Sequence, residues 1–194
     1  MSVESIKSAT DKDEAALSGL MTLAFSSDPV MRWLYPDPQK YVAHFPALAM
    51  AVGVKAVANG GAHYAQGFAG ATLWLPPGAS PDEEPLVALV HETLSKRLHD
   101  EVFSMLEQMG AAHPKDPHWY LWMIGTDPTC QGKGYGSALL RHTLAACDRD
   151  KRLAYLESSN PRNLSLYLRH GFELVGTIQV GSSPSIFPMI RKPR

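Results

Sequence analysis

The chain has 194 residues, 45% of them apolar, and a formal net charge of −1. That length suits one domain with a real core, and the apolar share argues against a largely disordered chain. Near-neutral charge gives no general electrostatic reason to bind nucleic acid or an acidic membrane. The two cysteines, Cys130 and Cys147, suggest neither a disulfide framework nor a zinc site. The opening "MSVESIKSAT" lacks a basic segment followed by an apolar one. No apolar run reads as approaching the roughly 20 residues of a membrane-spanning helix. The expectation is a cytoplasmic protein with free thiols and no metal, membrane or nucleic-acid partner.

Apolar residues from Asp11 to Phe25 fall at helical spacing, with Thr10 or Asp11 as a possible N-cap. Prolines at 29, 36 and 38 then break the pattern, and a second helix is expected from about Tyr41 to Ala58. "AHYAQGFAGATLWLPPG" reads as two short strands with a turn near Gln66-Gly67. Pro81 to Pro85 reads as a loop, Leu86 to Met109 as helical, and His118 to Thr126 as a strand.

After a glycine-rich stretch, Leu139, Leu140, Thr143, Leu144 and Cys147 would line one face of a helix. Leu153–Glu157 reads as a strand parallel to Leu121–Thr126, joined to it by that helical crossover. Asn160-Pro161 is expected to open another helix, with Leu164, Tyr167 and Leu168 facing inward and Gly171 just past its end. Two further strands are expected, Phe172–Val180 and Ser185–Arg191.

The densest chemical signal is "TDPTCQGKGYGSALL", Thr126 to Leu140. Position 137 is Ser rather than Gly, which rejects the dinucleotide fingerprint, and Lys133 is followed by Gly134 rather than Ser or Thr, which rejects a Walker A loop. "GYGSA" is not a nucleophile elbow. His91-Glu92 begins a zinc-protease pattern that Ser95 ends.

Gln131-Gly132-Lys133-Gly134-Tyr135-Gly136 does match the Q/R-x-x-G-x-G/A motif, and the chain thereby resembles the GCN5-related N-acetyltransferase (GNAT) family. "NPRNLSLYLRHGF" resembles that family's later helix, with Asn160, Tyr167, Gly171 and Phe172 in register and Asn163 where many members have Ala. From about Gly67 onward the chain looks like the puromycin N-acetyltransferase branch. The N-terminal third matches only loosely, through "AFSSDPV".

The resemblance implies a single α/β domain with a mixed, mostly antiparallel sheet, a splayed parallel central strand pair and flanking helices. Residues 18–110 would shape the acceptor site and 118–172 would form the acetyl-CoA-binding core. Acetyl-CoA would be the co-substrate and a small-molecule amine the acceptor, handled by a monomer or homodimer. A helix N-terminus offers unpaired N–H groups to a pyrophosphate, and side chains there would obstruct it.

On this reading Gln131, Gly132, Lys133, Gly134, Tyr135, Gly136 and Ser137 hold the phosphates. Ile124 and Thr126 offer backbone groups to pantetheine, while Asn160, Asn163 and Tyr167 complete the coenzyme site. Tyr167 is the candidate general acid for the leaving thiolate and Glu157 the candidate base, with His118 next in line. Asp28, Trp33, Tyr35 and Trp74 are candidates for the acceptor pocket. A non-catalytic acyl-CoA-binding sensor is the alternative from a different functional class.

Overall fold

The computed structural model describes residues 5–194 of the chain. These residues contain β1 (Ile6–Ser8), α1 (Glu14–Ala24), α2 (Pro29–Leu34) and α3 (Pro38–Ala58). There follow β2 (Ala62–Ala65), β3 (Gly70–Leu75), α4 (Glu83–Thr93), α5 (Lys96–Ala112) and β4 (His118–Thr126). The remainder is α6 (Tyr135–Arg149), β5 (Leu153–Ser158), α7 (Leu164–Arg169), β6 (Glu173–Leu174) and β7 (Phe187–Arg191). The sheet runs β1-β2-β3-β4-β5-β7-β6, antiparallel at every pairing but β4–β5. This is the mixed α/β sheet expected, with its single parallel pair at the centre.

Helices cover both faces. On one, α1 and α3 bury Leu17, Met21, Phe45, Ala49 and Val52 against Ala71, Leu73 and Leu75. On the other, α6 presents the expected stripe, with Leu140, Leu144 and Cys147 packing on Trp74, Leu121, Ala154 and Leu156. Gly125 permits the close approach of α1, because a Cβ there would lie 2.7 Å from that of Ala24. Buried Arg191 anchors β7: Nη1 and Nη2 donate to the two carboxylate oxygens of Asp148, both at 2.8 Å, and Nε donates to the His170 carbonyl.

Several expectations need correction. The proline-rich stretch after Phe25 contains α2, because Asp28 caps it and Pro29 occupies its first turn, where a missing N–H costs nothing. Leu86–Met109 is two helices, broken at Leu94, whose ψ of 156° is extended. The loop expected at Pro81–Pro85 ends early, with α4 beginning at Glu83. Leu168 is 55% exposed, so Leu164, Leu166 and Tyr167 form the inner side of α7 instead. The strand expected over Phe172–Val180 shrinks to β6 and an isolated bridge at Ile178. Finally, α3 has 21 residues and a mean hydropathy of 1.4, long and apolar enough for a membrane span by length and composition. Its Tyr41–Val57 stripe is core.

Candidate active site

The parallel pair separates part-way along. His118 to Leu121 pair with Leu153 to Leu156, and there the β4–β5 ladder stops. The cause is local: Trp74 pairs with Leu121 and Leu73 with Met123, so Trp122 is an extra residue in β4. Such a bulge bends its strand and strengthens the twist. Beyond it β4 stays with β3, while Glu157 and Ser158 stay with β7. The wedge between them opens into two cavities, both of which reach Phe25, Ile124, Asn163 and Tyr167.

The first cavity is polar and largely built from backbone. Gly132 and Gly134 have φ of +74° and +88°, a region that L side chains rarely adopt, and a Cβ on either would meet nothing within 4 Å. Gly134 caps α6, whose first backbone bond runs from Ala138 N–H to the Gly134 carbonyl. The N–H groups of the turn before Ala138 therefore lack carbonyls of their own helix and face forward, as an anion requires. The residues present fit a coenzyme A pyrophosphate.

Ile124, Thr126, Gln131, Gly132, Gly134 and Tyr135 line this cleft on one side, with Gly136 and Ser137 at the helix start. Asn160, Asn163 and Tyr167 face them. Asn160 also caps its turn, accepting from Arg162 N–H at 3.0 Å. The Ser137 hydroxyl lies 3.1 Å from His170 Nε2, tying α6 to the end of α7.

Lys133 is placed differently from expectation. Its ammonium donates to the Thr129 carbonyl at 2.9 Å, and it stands outside the cleft lining. Cationic side chains come instead from Arg162 and Arg169, which sequence reading missed. Their signal was available, since both flank Tyr167 on the short helical segment that closes the cleft.

Tyr167 sits where the two cavities meet, 5% exposed and edge-on to Phe172. Burial, reinforced by the charge of Asp28, raises its pKa, so the hydroxyl keeps its proton at working pH. Asp28 is buried and lines the polar cleft. It accepts from Val30 N–H, Met31 N–H and, at 2.5 Å, the Ser159 hydroxyl, thereby tying α2 to the end of β5 across the wedge. Burial raises its carboxyl above the usual range, partly offset by those hydrogen bonds.

The second cavity is apolar. Met31 and Leu34 of α2, Leu89 and Val90 of α4, and Val102 and Met105 of α5 wall it, with Trp122 on the sheet side. Tyr35 also contributes, its hydroxyl 2.7 Å from Thr93 Oγ1. Among the described lining residues Glu157 is the one carboxylate. Its side chain is only 2% exposed, and Oε1 stands 3.1 Å from His113 Nε2.

Two acceptor-site candidates lie elsewhere. Trp74 is fully buried against Leu121 and Leu140 and reaches neither cavity, because its position in β3 turns it toward α6. Trp33 donates its indole N–H to Ser182 at 3.1 Å and packs outside the cavity wall. The walls contributed by α4 and α5 were missed, since their apolar residues cannot be told from core residues by spacing.

Residues 81–172 match the sequence profile of the Acetyltransferase (GNAT) family. An uncharacterized N-acetyltransferase of Schizosaccharomyces pombe is 31% identical over 141 residues, covering 65% of this chain and 57% of that protein. The chain is similar to GNAT acetyltransferases over residues 81–172, a little under half of its length. It spans less than two thirds of that yeast relative. A Corynebacterium glutamicum structure, described as histone acetyltransferase HPA2 and related acetyltransferase, has 26% identity and a TM-score of 0.73 over 98% of this chain and 96% of its own. Arylalkylamine N-acetyltransferase 2 of Aedes aegypti superposes with a TM-score of 0.69 at 12% identity, over 98% and 99% of the two chains. That likeness shows the fold alone.

Proposed function

We propose that this protein transfers the acetyl group of acetyl-CoA to the amine of a small molecule. One observation carries the reading: a backbone-lined anion cleft and an apolar cavity meet at a split between parallel strands, with Tyr167 at the junction and Glu157 inside the apolar half. A binding sensor needs the first cavity, whereas an acyl transfer between two molecules needs both. The likeness of residues 67–194 to the puromycin N-acetyltransferase branch further supports a small-molecule acceptor.

The chemistry follows from the residues. Glu157 takes the proton that an alkylammonium must lose before its nitrogen can attack the thioester carbonyl. Backbone groups of β4 near Ile124, paired with β3 but not with β5, orient that carbonyl and can donate to its oxygen. Tyr167 gives its proton to the thiolate as the C–S bond breaks and regains one as the nitrogen sheds its second proton to become the amide; burial raises its pKa, so the hydroxyl carries its proton beforehand.

The cavity also limits the acceptor. Its volume is about 140 Å³, close to the ~150 Å³ apolar cavity that takes up benzene. A monoamine bearing one ring or a short branched alkyl group fits, and a polyamine would bury a second cation among Leu and Met side chains without a partner. The test is thiol release from acetyl-CoA with benzylamine, isoamylamine, phenethylamine, spermidine and puromycin. Turnover with the first three and little with spermidine is expected. Release with none of the amines by a protein that still binds coenzyme A would favour the sensor.

A further inference from the structure

The two helices that wall the apolar cavity are secured very differently. Leu86 and Leu94, at the two ends of α4, pack against the main core. Polar ties reinforce them: Lys55 holds Asp82 at 2.5 Å just before α4, and Tyr35 meets Thr93 at its end. Among the described residues α5 contributes none to either cluster that contains sheet residues. Of its 17 residues Leu98, Val102 and Met105 are buried, in two small clusters shared with α2, α4 and the segment 178–186. Beneath Val102, Met105, Leu106 and Met109 lies the cavity itself rather than packed side chains. A helix with so little buried apolar contact opens far more readily than the core.

One polar contact closes it. Glu101 of α5 accepts from the Ser182 backbone N–H at 2.7 Å and from the Ser182 hydroxyl at 2.8 Å. The same hydroxyl oxygen accepts the indole N–H of Trp33, so α5, α2 and the turn at 180–183 meet at one surface point. The turn is shaped for this grip. Ser183 N–H donates to the Val180 carbonyl, and Val180 N–H donates to the Ser183 hydroxyl. Gly181 has a φ of +51°, and a Cβ there would lie 2.6 Å from the Glu101 carboxylate carbon, so both the conformation and the approach require glycine. The bonds from Ser182 hold the Glu101 carboxyl below its usual range, as charge-assisted bonds do.

The acceptor needs a door of its own. Phe25, Ile124, Asn163 and Tyr167 line both cavities, so the passage between them is the junction where the thioester would sit. A seated acetyl-CoA plugs that passage. The remaining walls are the sheet, α2, α4 and α5, and α5 is the least secured of them.

We propose that α5 is a lid over the acceptor cavity, hinged at the Leu94 break and latched by Glu101 on Ser182, under which the amine enters while the coenzyme stays seated. This route rests on the acetyltransferase reading. Glu101, Ser182 and Trp33 touch no substrate and are positioning residues.

Amide hydrogen exchange in the ligand-free protein reads the latch apart from turnover. Glu101→Ala removes both bonds from Ser182 and installs the best helix former, so faster exchange cannot come from weaker helix propensity. Exchange over Lys96–Ala112 should rise about 10-fold or more, while α3, α6 and coenzyme A affinity stay unchanged. Glu101→Gln keeps an accepting oxygen and should stay close to wild type. Trp33→Phe keeps a ring but loses the N–H, and should fall between. At saturating acetyl-CoA, Glu101→Ala should raise KM for benzylamine about 10-fold without lowering kcat. In the wild type, benzylamine should slow α5 exchange even with coenzyme A already bound. Unchanged α5 exchange in Glu101→Ala, a rise shared equally by α3 and α6, or benzylamine that turns over yet leaves α5 unprotected beside coenzyme A would overturn the proposal. A loosened α5 in a protein that acetylates none of the amines would leave the latch standing and remove the acetyltransferase reading instead.

Discussion

The two halves of the wedge are made from different materials. One wall of the coenzyme side is built from backbone: a glycine-bearing turn, the start of α6 and the open edge of β4, all within the continuous stretch 124–137. The acceptor side is built from side chains brought by α2, α4, α5 and β4, far apart in the chain. Backbone recognition tolerates few substitutions and serves one ligand. A wall of Leu, Met and Val can be reshaped one residue at a time without disturbing the chemistry. In such a molecule the donor site and the acceptor site should respond independently to mutation, except where they touch.

Tyr167 is where they touch, and it should give the largest effect. Tyr167→Phe keeps the packing on Phe172 and removes one hydroxyl, so kcat should fall by about 10²–10³ while coenzyme A affinity hardly changes. Wild-type turnover at saturating substrates would make Tyr167 a core residue. Gly134→Val comes next. It forces a β-branched side chain into φ +88° and into the phosphate path, so coenzyme A affinity should drop by about tenfold or more with some loss of thermal stability. Calorimetry on the folded variant showing unchanged affinity would refute a backbone-made site.

Leu89→Trp tests the other half. It should raise KM for ring-bearing amines about tenfold and leave coenzyme A affinity alone. A parallel loss of both would mean that the cavities are not separable.

The smallest effect separates acid loss of activity from acid loss of fold. His63 stacks edge-on against His142 and lines neither cavity. Burial, then the neighbouring His142, lowers its pKa from 6.5 to about 4. A base whose folded pKa is depressed contributes stability above its unfolded pKa and loses it as pH falls, here from 6.5 toward 4. The drop is worth at most about 3 kcal/mol. His63→Gln should flatten this part of the stability profile, read by denaturant unfolding from pH 7 to 4, without moving the pH dependence of kcat/KM.

The same contrast explains what could be read before the structure. Gly132, Gly134 and the helix after them are adjacent in the chain, so their place at a helix start was legible from spacing, as were the position of Tyr167 on α7 and the cap at Asn160. Glu157 could be placed at a strand end but not beside His113, because that contact is made by tertiary folding. Lys133 looked like a phosphate ligand by charge and proximity, and only its bond to the Thr129 carbonyl shows it turned away. Trp74 illustrates the face problem: with β3 buried on both sides, its sequence carries no alternation to say which way a residue points. The break at Leu94 was illegible because no proline or glycine marks it.

The extra residue at Trp122 has a consequence for how such a protein can diverge. The opening of the wedge depends on a count, since one more residue in β4 than in β3 keeps the strands from zipping shut. Replacing Trp122 alters the wall of the acceptor cavity but leaves that count intact, whereas deleting one residue would restore the register and draw β4 toward β5. Point substitutions, the commonest kind of change in a gene, can therefore explore new acceptors indefinitely while the cleft itself is inherited unchanged.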